Sequence, residues 1–541
     1  MTISFKSESR KARRGRRAEL HRAEKLAPET ARWHRTAATE RTTQAPSRFG
    51  WLIPGGGAMR LLESHPEFRG PTVQVAGLFP WSAGGSLPMV GAVLGHHLAE
   101  RGVVCGDPVS WFVSGLINNP SCFVLGRPGV GKSSLVVRLL VQLYLRGIVP
   151  LVLGDVKGEY AELIRRLGGQ VLTPGVKHVN PLDRGPLALK LDELPKELRE
   201  RAVADLEARR KNVLIGLCEL VLREELKAHE RNVLAAAPAL WEEMHPKQTP
   251  VIPDLLDLVR SRPALLAQVV NDRGDEQRYK DRCERVIDAL IALSGAGEFG
   301  DLFARQTTEP MDMHRPACFD MSSVFEREVR LQGALQLVCW SYGSSQVAAA
   351  KYLADAKKAP RRTYFMVMDE LWRPLQSAPF MVDRVDELTR LNRTLNLGQA
   401  LATHTMDDLK LGSEEATAKA WGFVSRSEMV FLGGLAPSEM GNLRTVFALS
   451  NREETMLTDW SVKGEVNPET GQHDPPPGRG KFLLKVGKAI GTPFRVNLTA
   501  LEASVHDTNE AWEDTRSSMA GSHRIAGGSR AGVSSPVTEV A

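Results

Sequence analysis

The run Cys122-Phe-Val-Leu-Gly126-Arg-Pro-Gly-Val-Gly131-Lys132-Ser133-Ser134-Leu135 decides how the rest of this chain is read. Its first four residues form a short apolar run, which predicts a buried strand. After the glycine-rich turn, Leu135, Val136, Leu139, Leu140 and Leu143 recur at helical spacing until Gly147. Gly126–Ser133 fits the pattern GxxxxGK[ST] without a mismatch, in the strand–loop–helix context that pattern requires. Glycines let successive backbone N–H groups close around phosphates, and the helix N-terminus adds the positive end of its dipole. Lys132 is then the cation for the β- and γ-phosphates, and Ser133 the hydroxyl ligand for Mg2+. The candidate nucleotide-binding set is Gly126, Arg127, Pro128, Gly129, Val130, Gly131, Lys132, Ser133 and Ser134, with ATP and Mg2+ as the expected ligands. The structural alternative is a glycine-rich turn.

Working outward, Val149–Leu153 reads as a second strand and Glu159–Leu167 as a second helix ended by Gly168-Gly169. Val171-Leu172 opens a third strand. Strand, helix, strand, helix, strand within about 50 residues predicts a parallel α/β sheet. After Asn180-Pro-Leu-Asp183 the text becomes dense in Leu, Ala, Glu and Arg, and Leu191–Leu226 reads as long amphipathic helix. Thr249-Pro-Val-Ile-Pro253-Asp254 reads as a helix entry. Residues 185–300 are therefore expected to be an all-helical insertion. Strands return at Pro316–Met321, Thr363–Met368, Gly398–Ala402 and Glu428–Leu432, and Gly480–Leu498 alternates as β structure. The expected division is a basic disordered tail (1–48), a small lead-in (49–110) and a core in two parts (111–184 and 301–504) flanking the insertion. A disordered tail (505–541) follows.

Composition limits the class. Hydrophobic residues make up 42% and charged residues 25%, ordinary values for a globular protein, and no run of 18 apolar residues exists. Val75–Gly95 lacks charge but is broken by Pro80, Pro88 and several glycines. The arginine-rich start has no apolar stretch of the secretory-signal kind. Six cysteines stand far apart with no CxxC pair, as in a reduced, cytoplasmic protein. Residues 1–50 hold 13 Lys/Arg against 5 Asp/Glu, a net +8; with +6 for the whole chain, the remainder is −2. The positive charge is a tail, either a solvated leader or a contact for nucleic acid or an anionic membrane.

Beyond the glycine-rich loop, Tyr364-Phe-Met-Val-Met368-Asp369-Glu370 is an apolar strand ending in two acids. Asp369 is the candidate for the Mg2+ hydration shell and Glu370 for polarising the attacking water. A strand running into a solvated acidic loop is the alternative. Asp155 and Glu159 follow the second strand at its C-terminal edge, where open α/β sheets bind ligands, but Asp155 equally suits a helix entry. His404 ends another strand and is a candidate γ-phosphate sensor. Arg390 and Arg393 stand just before that strand.

Taken together, these motifs resemble the type IV secretion ATPases of conjugative transfer, the TraC-like branch of the HerA–FtsK P-loop motor superfamily. The resembling residues are Gly126–Ser134, Asp155-Val-Lys-Gly-Glu159-Tyr160, Asn180-Pro-Leu-Asp183, Asp369-Glu-Leu-Trp372, Thr403-His-Thr-Met-Asp-Asp408-Leu409 and Pro477-Gly-Arg-Gly480. The likeness covers about residues 110–500. It implies a RecA-like P-loop core with a mainly parallel sheet and an all-helical insertion. It also implies a cytoplasmic hexameric ring, peripheral at the inner face of the cell membrane, that energises DNA or protein transfer. Partners implied are other copies of the chain, secretion-channel subunits, DNA, and a separate subunit supplying the family's long N-terminal domain. The resemblance further implies that an arginine before the sensor strand reaches the neighbouring subunit's nucleotide; Arg393 occupies that place best and Arg390 second. His404 departs from the family's usual Gln, and Leu371 from its usual Ala. The rival readings are a DNA-translocating coupling-protein ATPase and a nucleotide-binding module without turnover.

Overall fold

The computed structural model describes residues 88–506 except 100–101, 186, 296, 298, 325–328, 378–380, 463 and 465–475. The expected basic tail, residues 49–87 of the lead-in and residues 507–541 lie outside the described residues. The eleven strands of the sheet are β1 (Val93–His97), β2 (Val103–Cys105), β3 (Ser121–Leu125), β4 (Val149–Asp155), β5 (Gln170–Leu172), β6 (Ala317–Asp320), β7 (Tyr364–Met368), β8 (Leu397–Thr403), β9 (Met429–Leu432), β10 (Lys481–Val486) and β11 (Thr492–Val496). Their spatial order is β2-β1-β11-β10-β9-β3-β8-β7-β4-β6-β5. Pairing is parallel from β9 to β5 and antiparallel from β9 out to β2.

The central strands β3, β4, β7 and β8 are buried along their whole length, which is why they read as continuous apolar runs rather than alternating ones. Alternation survives as a choice between two cores. Phe123 and Leu125 enter one, and Cys122 and Val124 the other. The second core is covered by the Lys132–Tyr144 helix through Leu135, Val136, Leu139, Leu140 and Leu143. Over the first lies the Val329–Asp355 helix, which packs against the Lys196–Leu222 helix. Between β5 and β6 run the helices Lys196–Leu222, Ala228–Met244, Ile252–Arg260, Ala264–Val270 and Glu276–Leu293. The Ile252 helix starts as its sequence predicts, because the Asp254 carboxylate accepts the Val251 N–H at 2.8 Å.

Two features depart from local reading. Within the expected lead-in, residues 93–105 supply two strands of the main sheet. β1 pairs with β11, some 400 positions later, through Gly95↔Val496 and His97↔Phe494, and the Pro108–Val113 helix straddles the expected boundary at 110. Such pairing leaves no local trace in the sequence. The 27-residue Val329–Asp355 helix leaves no clear helical period in the sequence, because buried Gln332, Gln336, Ser344 and Gln346 break its apolar pattern. A helix buried nearly all round has no polar stripe to announce it.

Candidate nucleotide site

Sheet register brings the chemistry to one edge. Leu125 is level with Thr403 and Met368 with Leu401, so Gly126, His404, Asp369 and Glu370 all leave the sheet at its C-terminal edge. β8 lies between β3 and β7, so the glycine-rich loop and the acid pair flank the strand that delivers His404.

The loop's glycines have steric reasons. Gly131 sits at φ 94°, in the left-handed region, and begins the helix with no side-chain cap. A Cβ on Gly126 would stand 2.8 Å from Val130 Cγ2. The first N–H groups of the 13-residue helix are thus left for an anion. The loop is held from outside: Arg127 N–H donates to Gly434 O at 3.0 Å, and Gly480 N–H to Val130 O at 2.8 Å. The latter contact gives Pro477-Gly-Arg-Gly480 a place beside the loop.

Lys132 Nζ donates to Gly126 O at 2.7 Å and lies 2.6 Å from His404 Nδ1. His404 Nε2 is 3.1 Å from Glu370 Oε2. An ammonium can only donate, so Nδ1 accepts and the proton sits on Nε2, aimed at Glu370. Asp408 fixes the imidazole's backbone by accepting from His404 N–H (3.1 Å), Thr405 N–H (2.9 Å) and Thr403 Oγ1 (3.2 Å). Glu370 is 3% exposed and at φ 51°, a setting a non-glycine residue takes only under constraint. Its carboxylate also accepts from Trp372 Nε1 at 2.6 Å and pairs with Lys157 Nζ at 2.5 Å. Burial alone would raise its pKa, but His404 and Lys157 outweigh burial and hold it well below the usual range. Asp369 moves the other way, raised by burial and by the neighbouring Glu370 charge. Burial lowers Lys132 to about 8, against the opposing pull of Asp369 and Glu370.

Ser133 and Asp369 offer oxygen donors only, which suits a hard cation, and the raised Asp369 carboxylate is one that a cation would relieve. Among the described residues, no group of three or more His, Cys, Asp or Glu side chains could by itself hold a metal ion. Mg2+ here would therefore take its remaining ligands from phosphate and water.

Asp155 resolves toward a loop-capping role. Its carboxylate accepts the N–H groups of Glu159 (2.9 Å), Tyr160 (2.8 Å) and Ala161 (3.2 Å), which also delays the expected helix to Ala161–Arg166. Asn180 is likewise occupied structurally, bridging Pro250 O and Leu182 N–H. Leu371 is fully buried, as a packing residue. Arg393 is exposed and lies on the opposite edge of the sheet, just before β8. Its neighbours Asn392 and Asn396 bond Asn119 and Thr363, which precede β3 and β7. It therefore does not join its own chain's site. Arg390 lies on the Met381–Leu391 helix. Sequence reading missed Lys157, Tyr160 and Trp372 as contacts of the acid pair. The first two reach it because β4 neighbours β7, a fact of topology.

No family model matches the chain, and no curated protein does. Among solved structures it is similar to VirB4 of Thermoanaerobacter pseudethanolicus, at 18% identity and a TM-score of 0.54, over 77% of this chain and 100% of that one. The plasmid coupling protein TrwB in complex with ADP and Mg2+ aligns at 12% identity and a TM-score of 0.43, over 70% and 86%. No helix among the described residues is long and apolar enough to cross a membrane. The mainly parallel sheet, its glycine-rich loop and the match along the whole of VirB4 establish a RecA-like α/β P-loop NTPase fold in this chain.

Proposed function

We propose that this chain binds ATP–Mg2+ over Gly126–Ser134 and hydrolyses it as the motor of a conjugative or type IV secretion apparatus. The observation that supports hydrolysis most directly is the contact series Lys132–His404–Glu370. It puts a buried acid on the phosphate-loop edge within one imidazole of the phosphate lysine. Lys132 and the uncapped helix start bind the phosphates, while Ser133 and Asp369 would hold Mg2+, which would supply neutralisation of the charge on the transferred phosphoryl group. Glu370 orients the attacking water and accepts its proton as the bond from the γ-phosphorus to the bridging oxygen breaks, giving ADP and phosphate. The contact of His404 with Lys132 supports a γ-phosphate sensor role for it. Glu370 argues against a pocket that merely holds nucleotide.

The motor role rests on the ordered motif set, on the fold shared with VirB4 and on Arg393. An exposed arginine on the edge opposite its own glycine-rich loop supports a contact with another copy, as in a hexameric ring. The remaining parts of the reading are a cytoplasmic location against the inner membrane, channel subunits and a separate N-terminal-domain subunit as partners, and DNA as a contact. A coupling-protein ATPase that carries DNA to the channel is the same-class rival. Phosphate release from ATP, measured for the wild type and for Glu370→Gln, tests the chemistry. Transfer frequency in cells carrying only Lys132→Ala tests the motor role; undiminished transfer would sink it.

A further inference from the structure

Just beyond the acid pair lies a short helix, Trp372–Ser377, whose first two side chains the mechanism above does not use. The backbone around Glu370 is fixed from both sides. Leu371 N–H donates to Ala402 O on β8, and Arg373 N–H to Glu370 O, each at 3.0 Å. A fixed backbone does not aim a glutamate, because its carboxylate still turns on three side-chain torsions. Hydrogen-bond donors do the aiming. Trp372 Nε1 (2.6 Å) and His404 Nε2 (3.1 Å) share Oε2, while Lys157 Nζ stands on Oε1. Each carboxylate oxygen offers two lone pairs. Oε2 is therefore filled, and the lone pair left for a water is on Oε1.

The donors are not held alike. The Lys157 side chain is 42% exposed on a flexible stem, and His404 is shared with Lys132. Trp372 is braced by buried structure instead. The Arg373 guanidinium lies over its indole, 5.1 Å from the ring centroid, and donates through Nη1 to Gln332 Oε1 at 2.9 Å. Gln332 is fully buried on the Val329–Asp355 helix, which packs against the Trp372–Ser377 helix. We propose that Trp372 is the positioning residue of Glu370: its N–H pins Oε2 so that Oε1 is the oxygen presented to the attacking water. Arg373 and Gln332 are the brace that holds the indole in place. This rests on the ATPase reading above, in which Glu370 is the base. The indole is half-buried, so its N–H, rather than filling of the core, is what a phenylalanine would fail to supply. An acceptor turned even slightly from its water loses much of the advantage of being held in place.

The test measures ATP affinity by equilibrium titration and steady-state phosphate release, both with excess Mg2+. The proteins compared are the wild type, Trp372→Phe, Arg373→Met, Glu370→Gln and Trp372→Phe/Glu370→Gln. Trp372→Phe keeps a ring beneath Arg373 and removes the donor. Its kcat should fall roughly tenfold, the scale of one hydrogen bond to a charged group, with ATP affinity and KM unchanged. Arg373→Met should lower kcat by a smaller factor, again with KM unchanged. Trp372→Phe/Glu370→Gln should be no slower than Glu370→Gln, since the indole acts only through that carboxylate. A tenfold loss that persists on the Glu370→Gln background marks a general structural role and overturns the proposal. So does a folded Trp372→Phe with wild-type kcat, or one in which KM alone has risen. If Trp372→Phe does not fold, Arg373→Met carries the test, and wild-type kcat there overturns the proposal. A wild type that releases no phosphate sinks the ATPase reading and this role together. A wild type that turns over no faster than Trp372→Phe sinks the positioning role alone.

Discussion

Tyr160 donates a 2.8 Å hydrogen bond to Asp369 Oδ2 across 209 positions of sequence, with its ring 1% exposed. The phenol therefore orients the carboxylate assigned to Mg2+. Such outer partners of a metal ligand typically matter by about 10- to 100-fold in affinity or activity. Tyr160→Phe keeps the ring and removes the donor. It should raise the Mg2+ concentration for half-maximal hydrolysis by roughly tenfold, with ATP saturation little altered. A Mg2+ titration of phosphate release checks this, and an unchanged midpoint would detach Tyr160 from the metal.

Lys132→Ala and Glu370→Gln should separate binding from turnover. Lys132 is the loop's own cation, buried enough to be lowered to about 8, and its loss should abolish ATP binding. Glu370→Gln keeps the shape and loses the base, so ATP should bind but hydrolyse at least about 100-fold more slowly. Equilibrium nucleotide titration beside phosphate release reads both. Wild-type turnover in Glu370→Gln would move the base elsewhere, with Glu159 the first suspect.

Catalysis should depend on assembly if Arg393 completes a neighbour's site. A guanidinium at the γ-phosphate is worth about 10³–10⁵ in rate in comparable NTPases. Turnover per chain should climb with protein concentration. Mixing Arg393→Ala with Lys132→Ala subunits should recover activity that neither has alone, since the first has an intact pocket and the second an intact Arg393. A dilute chain as fast as a concentrated one rules the shared site out.

The ion pair of Lys485 Nζ with Glu453 Oε1, 2.8 Å long, is nearly inaccessible on both sides. Glu453 also accepts the Gly491 N–H at 2.7 Å and the Ser450 N–H at 2.7 Å. Burial would raise its pKa, but Lys485 and these N–H groups prevail and lower it. Lys485→Met leaves that acid buried without its cation, and should cost about 3–5 kcal/mol in a denaturant titration. Because the folded value is lowered, the stabilisation is complete above the unfolded value of about 4.3 and is lost as acid carries the pH down through the folded one. Melting curves in that acid range should therefore fall more steeply for the wild type than for Glu453→Gln.

The sequence by itself determined the glycine-rich loop and its flanks, because every requirement of that turn is local. The glycines, Lys132 and Ser133 fall within eight residues, between a short apolar run and a helical period. It likewise determined the acid pair, since a buried parallel strand must be apolar and Asp369-Glu370 ends one abruptly. Tertiary structure alone decided what those acids touch. Lys157 and Tyr160 meet them because β4 packs beside β7, and His404 stands between lysine and acid because β8 is inserted between β3 and β7. Strand order is settled by long-range packing and crossover geometry, which no local pattern records. The same physics hid the β1–β11 pairing, and it placed Arg393 on the edge of the sheet away from the glycine-rich loop.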